Sequence, residues 1–252
     1  MARDFNGSSD KLLGTGASVI SAVPATMSAW ARPDVTNAEK EIAGCSRSSD
    51  ANPLFRIAMS STGKPFCQFR NDAAQASRAD GTTTLSTTVW QHVLGTIDSS
   101  GTAKIFYNGT NEATGATPAG VTVTLNQTEI GVLQRNSAAQ FWDGVIAEVG
   151  YWSVVLSAGE IIALSKGVSP LRVNAQNLVG YYPVYGVASP ETNLAAATPT
   201  LTVTGTTLAN HAPTMPAFGF DYGWRGAFTA AGGAPSGWAH LLGESRNRLV
   251  YT

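Results

Sequence analysis

Turn signals recur roughly every ten residues along most of this chain, and this spacing limits the fold more than any other feature. Short runs rich in Val, Ile, Thr and aromatic residues lie between the turns, and this composition is typical of β-strands. Asn108-Gly109 is one such signal, because this dipeptide accepts the two left-handed residues of a type I′ turn. Around a dozen strands predict an all-β fold, a two-sheet antiparallel sandwich.

The predicted strands include one long apolar run and several shorter ones. They cover residues 3–5, 25–32, 39–46, 54–59, 64–70, 89–98, 103–108, 128–134, 141–152, 178–185 and 200–208. The run at 141–152 has apolar residues at both odd and even positions, so we expect apolar neighbours on both of its faces. Residues 71–88 are polar and rich in Thr, and they predict a long loop or a weak edge strand.

One short helix is predicted. Ser157-Ala158-Gly159-Glu160 has the pattern of a capping box, in which the serine hydroxyl and the glutamate carboxylate each bond the other residue's amide. Gly167 is a typical residue to end a helix. The pattern predicts a helix from Ser157 to Lys166, packed at the edge of the sandwich.

Composition and charge exclude several classes of protein. The chain has 252 residues with a formal net charge of -1, so nothing electrostatic favours nucleic acid or an acidic membrane. Only 13% of residues are charged, about half the usual share, which suggests surface that a ligand or neighbouring subunits cover. No apolar run approaches the ~20 residues of a membrane span, and residues 1–10 lack a signal-peptide core. We therefore expect synthesis in a cytosol and no membrane partner.

The chain contains two cysteines, Cys45 and Cys67. They could pair if their strands are adjacent. In a reducing compartment, two thiols are more often small buried residues.

Several segments together resemble the laminin-G-like members of the concanavalin A-like lectin/glucanase superfamily. They are DFNGSSDKL (4–12), TMSAWARP (26–33), VWQHVLGTIDSSGTAKIFYNG (89–109) and FWDGVIAEVGYWSVVLSAGEI (141–161). The resemblance covers roughly Met1 to Pro213. The later LVGYYPVYG (178–186) and LTVTGTTLANHAP (201–213) resemble the closing segments of versions in tailed bacteriophage virion proteins.

This resemblance implies a jelly-roll sandwich at residues 1–213. Members of the family bind glycans, proteins or calcium, and many of them only build structure. Ala147 departs from the family pattern, which often has an acidic residue there, and this weakens the case for a polar site on that strand.

The sequence offers no catalytic pair, so we predict no catalytic residues and no enzyme. Glycosidases of this superfamily place two carboxylates on one strand face. Asp143 and Glu148 are an odd number of residues apart, so a regular strand places them on opposite faces, and Glu160 belongs to the capping box. The chain has three histidines, His92, His211 and His240, and no Ser or Cys stands in a nucleophile-elbow context. The first histidine is expected to be a hydrogen-bonded structural residue, and the second lies in a turn.

Asp4, Asn6 and Asp10 are candidate calcium ligands, because calcium binds clusters of loop oxygen atoms. The alternative is that these residues cap their own turn. No other cofactor is predicted. For a glycan site, Trp142, Tyr151 and Trp152 could stack on sugars, but a sandwich core needs the same residues.

Residues 214–252 are predicted to form an extended C-terminal arm. This Gly-rich segment is too short to bury its aromatic residues by itself. The aromatic residues predicted to bind a partner are Phe218, Phe220, Tyr222, Trp224, Phe228, Trp238 and Tyr251. We expect the arm to dock on a second copy of the chain, in a trimer, or on the major capsid protein of a virion.

Three functions stay open. The first is a structural bacteriophage virion protein, a capsid decoration subunit located in the virion. The alternative is a glycan-binding receptor module of a phage fibre or tail. A glycoside hydrolase is the third, and the carboxylate spacing disfavours it.

Overall fold

In the computed structural model, residues 1–186 and 188–214 are described, and they form two large antiparallel sheets packed face to face. Within this part of the chain the first sheet contains eight strands: β1 (Ala2–Asn6), β3 (Ala25–Pro33), β8 (Gln91–Ile97), β9 (Ala103–Tyr107), β10 (Thr110–Thr114), β14 (Asp143–Trp152), β15 (Leu178–Tyr182) and β17 (Thr207–Ala209). Their order is β10-β9-β8-β3-β14-β1-β17, and β15 also pairs with β14.

The second sheet contains seven of the described strands: β2 (Lys11–Thr15), β4 (Lys40–Ser46), β5 (Leu54–Met59), β6 (Pro65–Arg70), β7 (Ala76–Asp80), β11 (Gln127–Ile130) and β16 (Thr202–Thr204). Their order is β16-β2-β11-β4-β5-β6-β7. β12 (Leu133–Gln134) and β13 (Ala138–Ala139) form a separate hairpin. The predicted two-sheet antiparallel sandwich is confirmed.

The core lies between the two sheets and follows from strand alternation. On β5, Phe55 and Ile57 are buried in the core, so the residues between and beside them face outward. On β14, Tyr151 is buried in the core, whereas Trp152 packs in a second apolar cluster outside the eight-stranded sheet. The prediction that this strand has apolar neighbours on both faces is therefore correct.

The predicted helix is present as α1 (Ala158–Ser165), with Ser157 as its N-cap and a complete capping box. Its buried residues Ile161 and Leu164 share a cluster with Leu94 of β8 and with Trp152. The helix therefore covers the outer face of the eight-stranded sheet, and its predicted place at the edge of the sandwich is wrong. Two 3-10 helices follow at Pro170–Arg172 and Ala175–Asn177. No helix among the described residues is long and apolar enough to cross a membrane.

Replacing Ser157 with alanine is expected to lower the free energy of unfolding by about 1 kcal/mol, the usual loss for an N-cap. The serine hydroxyl accepts a hydrogen bond from the Glu160 amide at 3.4 Å, and the change leaves that amide without this partner. Urea unfolding of the variant measures the loss. Ser48→Ala, in an exposed loop, is the control, and equal stability of the two variants would contradict a role for the cap.

Strands whose sequences are polar or short were missed. Thr110–Thr114 reads TNEAT and forms the edge strand β10, and β2 at Lys11–Thr15 was also not predicted. Within 71–88 the weak edge strand is the correct alternative, because β7 lies at the edge of its sheet. The predicted strand at 200–208 divides into β16 and β17 around Gly205 and Thr206, which both have positive φ.

The two cysteines do not pair. Cys45 and Cys67 are free thiols, and both are buried in the core. Burial raises the pKa of Cys45 to about 12, so its thiol stays protonated. The description ends at residue 214, so the boundary between sandwich and arm stays a prediction.

Candidate functional site

A row of residues runs straight across the outer face of the seven-stranded sheet. Glu129 lies opposite Gly44, Gly44 opposite Arg56, Arg56 opposite Gln68, and Gln68 opposite Arg78. Residues opposite one another on neighbouring strands project to the same side of a sheet. Because β5 buries Phe55 and Ile57 in the core, this row faces away from it. We call the surface made by Glu39, Glu41, Arg56, Gln68, Arg70, Arg78, Glu129 and Gln140 the polar face.

Arg56 lies at the centre of the polar face and is only 5% exposed. Its guanidinium donates to Glu41 Oε2 at 3.2 Å, to Glu39 Oε1 at 2.9 Å and to Gln140 Oε1 at 2.5 Å. It also donates twice to Gln68 Oε1, at 3.0 and 2.8 Å. These bonds use the guanidinium's five N–H groups and fix four neighbouring side chains.

The Phe66 ring packs against two guanidinium groups of this network. The Arg56 guanidinium carbon lies 4.8 Å from the centre of the Phe66 ring, and that of Arg78 lies 3.7 Å from it. Arg78 also pairs with Asp80 at 2.8 Å and with Glu39 at 3.5 Å. Cation–π contact and ion pairs therefore hold both guanidinium groups in place.

Glu41 and Glu129 form a buried carboxyl pair beside Arg56. Both residues are 0% exposed, and the Oε1 atom of each has no hydrogen-bond partner in the described chain. A Cβ placed on Gly44 would lie 2.6 Å from Glu41 Oε1 and 3.1 Å from Glu129 Oε1, so both oxygen atoms lie over this glycine.

This proximity has an electrostatic consequence. Burial raises the pKa of Glu41 to about 8. Burial, followed by the charge of Glu41, raises the pKa of Glu129. Two negative charges repel each other strongly in a buried site of low dielectric constant. At least one of the two carboxyl groups therefore stays protonated near neutral pH.

The carboxyl pair lies outside the sequence prediction, which concerned two carboxylates on one strand. Glu41 and Glu129 meet from the neighbouring strands β4 and β11. The hairpin of β12 and β13 lies over them, since the Gln134 amide donates to Glu129 Oε2 at 2.7 Å. The pair is closed to solvent and does not present an acid to a substrate. The absence of catalysis stays a prediction.

Asp143 and Glu148 do not form a pair. The prediction assumed that side chains alternate regularly along this strand, and that assumption was wrong. β14 has an irregularity between Ala147 and Gly150, and Ile146 and Val149 both face the core, so alternation is interrupted between them. Asp143 instead lies 4.0 Å from Lys40.

Glu148 lies in a separate buried group outside the eight-stranded sheet. It adopts a left-handed φ of 57° and accepts a hydrogen bond from the Tyr181 hydroxyl at 2.6 Å. His211 Nε2 lies 3.2 Å from its other oxygen. No sequence pattern predicts this contact, because the three residues come from distant segments.

His92 is buried, and its ring packs edge-on against Trp30 with the ring centres 5.5 Å apart. Burial lowers its pKa to about 3, so the ring is neutral. Its Nδ1 atom has no partner in the described chain, so the predicted hydrogen bond is absent at that atom.

Two of the three candidate calcium ligands, Asn6 and Asp10, accept hydrogen bonds within their own turn. Asn6 Oδ1 accepts from the amides of residues 8–10, and Asp10 Oδ2 accepts from the Asn6 amide at 3.2 Å. Asp4 lines an open pocket of about 500 Å³ with Asp34, and burial and the charge of Asp34 raise its pKa. Among the described residues, no group of three or more His, Cys, Asp or Glu side chains could hold a metal ion. Calcium binding at these three residues stays a prediction.

The aromatic candidates for sugar stacking are not accessible. Trp142, Tyr151 and Trp152 are each 0% exposed. All seven aromatic residues of the predicted arm lie outside the described residues.

The fold and the family profile agree. Two antiparallel sheets packed as a jelly-roll sandwich define the concanavalin A-like class. A profile described as concanavalin A-like lectin/glucanases superfamily matches residues 6–162. The chain belongs to that superfamily, which confirms the resemblance found in the sequence. No curated protein matches the chain.

Several solved structures share the sandwich. A candidate carbohydrate binding protein from Bacteroides ovatus has a TM-score of 0.60 and 16% identity, over 83% of this chain and 59% of that one. A CBM40 domain of the Ruminococcus gnavus IT-sialidase, bound to α2,3 sialyllactose, has a TM-score of 0.54 and 17% identity, over 66% of this chain and 98% of that one. Domain 4 of a Geobacillus stearothermophilus arabinanase, in complex with arabinotriose, has a TM-score of 0.51 and 20% identity, over 65% and 76%. At these identities the likeness establishes the fold.

Proposed function

We propose that this protein is a non-catalytic glycan-binding module and that the polar face is its binding surface. The observation that carries the proposal is the row of guanidinium, amide and carboxyl groups across one sheet face. Sugars present many hydroxyl groups, and binding sites recognise them with a few well-placed polar side chains. Glu39, Gln68 and Arg78 are each partly exposed, so their polar atoms are accessible to a ligand.

The polar face is ordered before any ligand binds. Gln68 Oε1 accepts two hydrogen bonds from Arg56, which fixes the side-chain amide. Its Nε2 group makes no hydrogen bond within the described chain and is available to a sugar oxygen. Binding to a group that is already held loses less conformational entropy, so such a surface favours affinity.

The structural neighbours support a sugar ligand over the other candidates. One is named a candidate carbohydrate binding protein, and two were solved with oligosaccharides bound, α2,3 sialyllactose in one and arabinotriose in the other. They share the sandwich with this chain at low identity. Their ligands favour the glycan-binding alternative among the functions that the sequence left open.

The bacteriophage virion subunit gains no support from the family profile or from these structures. The aromatic arm on which that prediction depended lies outside the described residues. The arm, the trimer and the capsid partner therefore stay predictions.

A glycan microarray tests the proposed function. The wild-type protein is expected to bind a defined set of glycans, and Gln68→Ala is expected to weaken binding to them at least tenfold, about 1.4 kcal/mol. Gln176→Ala is the matched control, because Gln176 is exposed on the second 3-10 helix, away from the polar face. It should bind as the wild type does. Absence of wild-type binding to every glycan, or equal binding by Gln68→Ala, would contradict the proposal.

A further inference from the structure

Two guanidinium groups at one end of the polar face have no acidic partner within the described chain. The Arg70 side chain, on β6, forms no hydrogen bond or ion pair there, and its Nε atom is buried without a partner. Arg135, on the hairpin between β12 and β13, donates to the Ala51 carbonyl at 2.5 Å and forms no ion pair. A partly buried cation without a counter-ion is costly, so each group favours an anion nearby.

The strand register brings these two residues together. Ser46 lies opposite Leu54, and Leu54 lies opposite Arg70. The Ser46 hydroxyl donates to the Gln134 carbonyl at 2.5 Å, which holds the hairpin over this row and places Arg135 beside it. Burial, together with the charges of Arg56 and Arg70, lowers the pKa of Arg135, and the carboxyl groups of Glu41 and Glu129 oppose this shift.

The remaining charges near this end do not neutralise the two arginines. Arg56 pairs with Glu39 and Glu41, and Arg47 pairs with Asp50 and Asp72. Glu129 Oε2 accepts from the Gln134 amide, and burial raises the pKa values of Glu129 and Glu41, which favours their uncharged forms. This end of the polar face therefore carries two positive charges that the described chain leaves unmatched.

We propose that Arg70 and Arg135 together bind the anionic group of an acidic sugar, a carboxylate or a sulfate ester. This inference rests on the proposed glycan-binding function and names the class of glycan. A guanidinium presents two parallel N–H donors that match the two oxygen atoms of such a group. The row through Arg56, Gln68 and Arg78 would then contact the neutral part of the same glycan.

Matched glycan pairs test the inference. The array compares each anionic glycan with its neutral counterpart. The pairs are sialylated and desialylated, glucuronate-terminated and glucose-terminated, and sulfated and unsulfated oligosaccharides. The wild-type protein is expected to bind the charged member of at least one pair more than tenfold better. The pair that responds distinguishes a carboxylate from a sulfate. Arg70→Gln and Arg135→Gln should each reduce that preference at least tenfold.

Two further variants test whether the preference depends on the position and the geometry of the positive charge. Arg32→Gln, which removes one positive charge from the eight-stranded sheet, should keep the preference. Arg70→Lys keeps the charge but loses the paired donors, so it should retain only part of the preference. Circular dichroism of each variant checks folding, and Arg135→Gln, on a surface hairpin, provides the test should Arg70→Gln not fold.

Two different binding results would overturn the role of the arginines alone or glycan binding as a whole. The wild type could bind charged and neutral glycans equally, with binding lost in Gln68→Ala and kept in both arginine variants. This result would overturn the role of Arg70 and Arg135, while glycan binding stands. Absence of binding to every glycan would overturn both.

Discussion

Replacing Arg56 with methionine is expected to lower the free energy of unfolding by about 1–3 kcal/mol, the usual cost of leaving a buried polar group without its hydrogen-bond partner. Methionine fills a similar volume, but it leaves Glu41 Oε2 and Gln68 Oε1 without the donor that binds them. Glu41 is 0% exposed, so water does not replace that donor. Urea denaturation monitored by tryptophan fluorescence measures the change.

Arg78→Met is the matched control. Arg78 also lies over the Phe66 ring and also pairs with carboxylates, but its side chain is 31% exposed. Exposed ion pairs contribute about 0–1 kcal/mol, so this variant should lose much less stability. Equal losses in the two variants would show that the buried network around Arg56 does not support the polar face.

Glu129→Gln is expected to stabilise the protein at alkaline pH. In the wild type, Glu41 has an ordinary pKa of 4.5 when unfolded and about 8 when folded. Because the folded state binds the proton more tightly, the stability from this group is complete below pH 4.5 and is lost as the pH rises towards 8. Each unit by which a pKa is raised corresponds to about 1.4 kcal/mol. Glutamine removes one of the two charges, and its amide can donate to Glu41 Oε1.

Unfolding free energies at pH 5 and pH 8.5 test this expectation. The wild type should lose stability between the two, and Glu129→Gln should lose less and exceed the wild type by more than about 1 kcal/mol at pH 8.5. Glu112→Gln, on the edge strand β10, should keep the wild-type dependence. The same pH dependence in Glu129→Gln and the wild type would show that the charge of Glu129 does not act on Glu41.

Features encoded within a few residues could be predicted from the sequence. The capping box at Ser157–Glu160 appears as expected, and β5 spans the predicted residues 54–59. Alternation on β5 also places Arg56 on the outside once Phe55 and Ile57 are assigned to the core. Such features depend on backbone periodicity and local hydrogen bonds, which the sequence shows directly.

The polar face could not be predicted, because its members meet only through strand order and register. Glu41 and Glu129 belong to strands that are far apart in sequence and adjacent in the sheet. The irregularity in β14 likewise changes which side Glu148 faces, and no residue pattern there signals it. An unmatched cation such as Arg70 becomes visible only when every neighbouring carboxylate has been located.

Chemical-shift mapping tests most directly whether the polar face binds a glycan. ¹⁵N-labelled protein is titrated with the glycan that binds most strongly on the array, and amide signals are followed by NMR. Shifts are expected to cluster on β5 and β6 and on the hairpin of β12 and β13, and to be absent in Gln68→Ala. Shifts confined to the eight-stranded sheet, or to the pocket at Asp4, would contradict binding at the polar face.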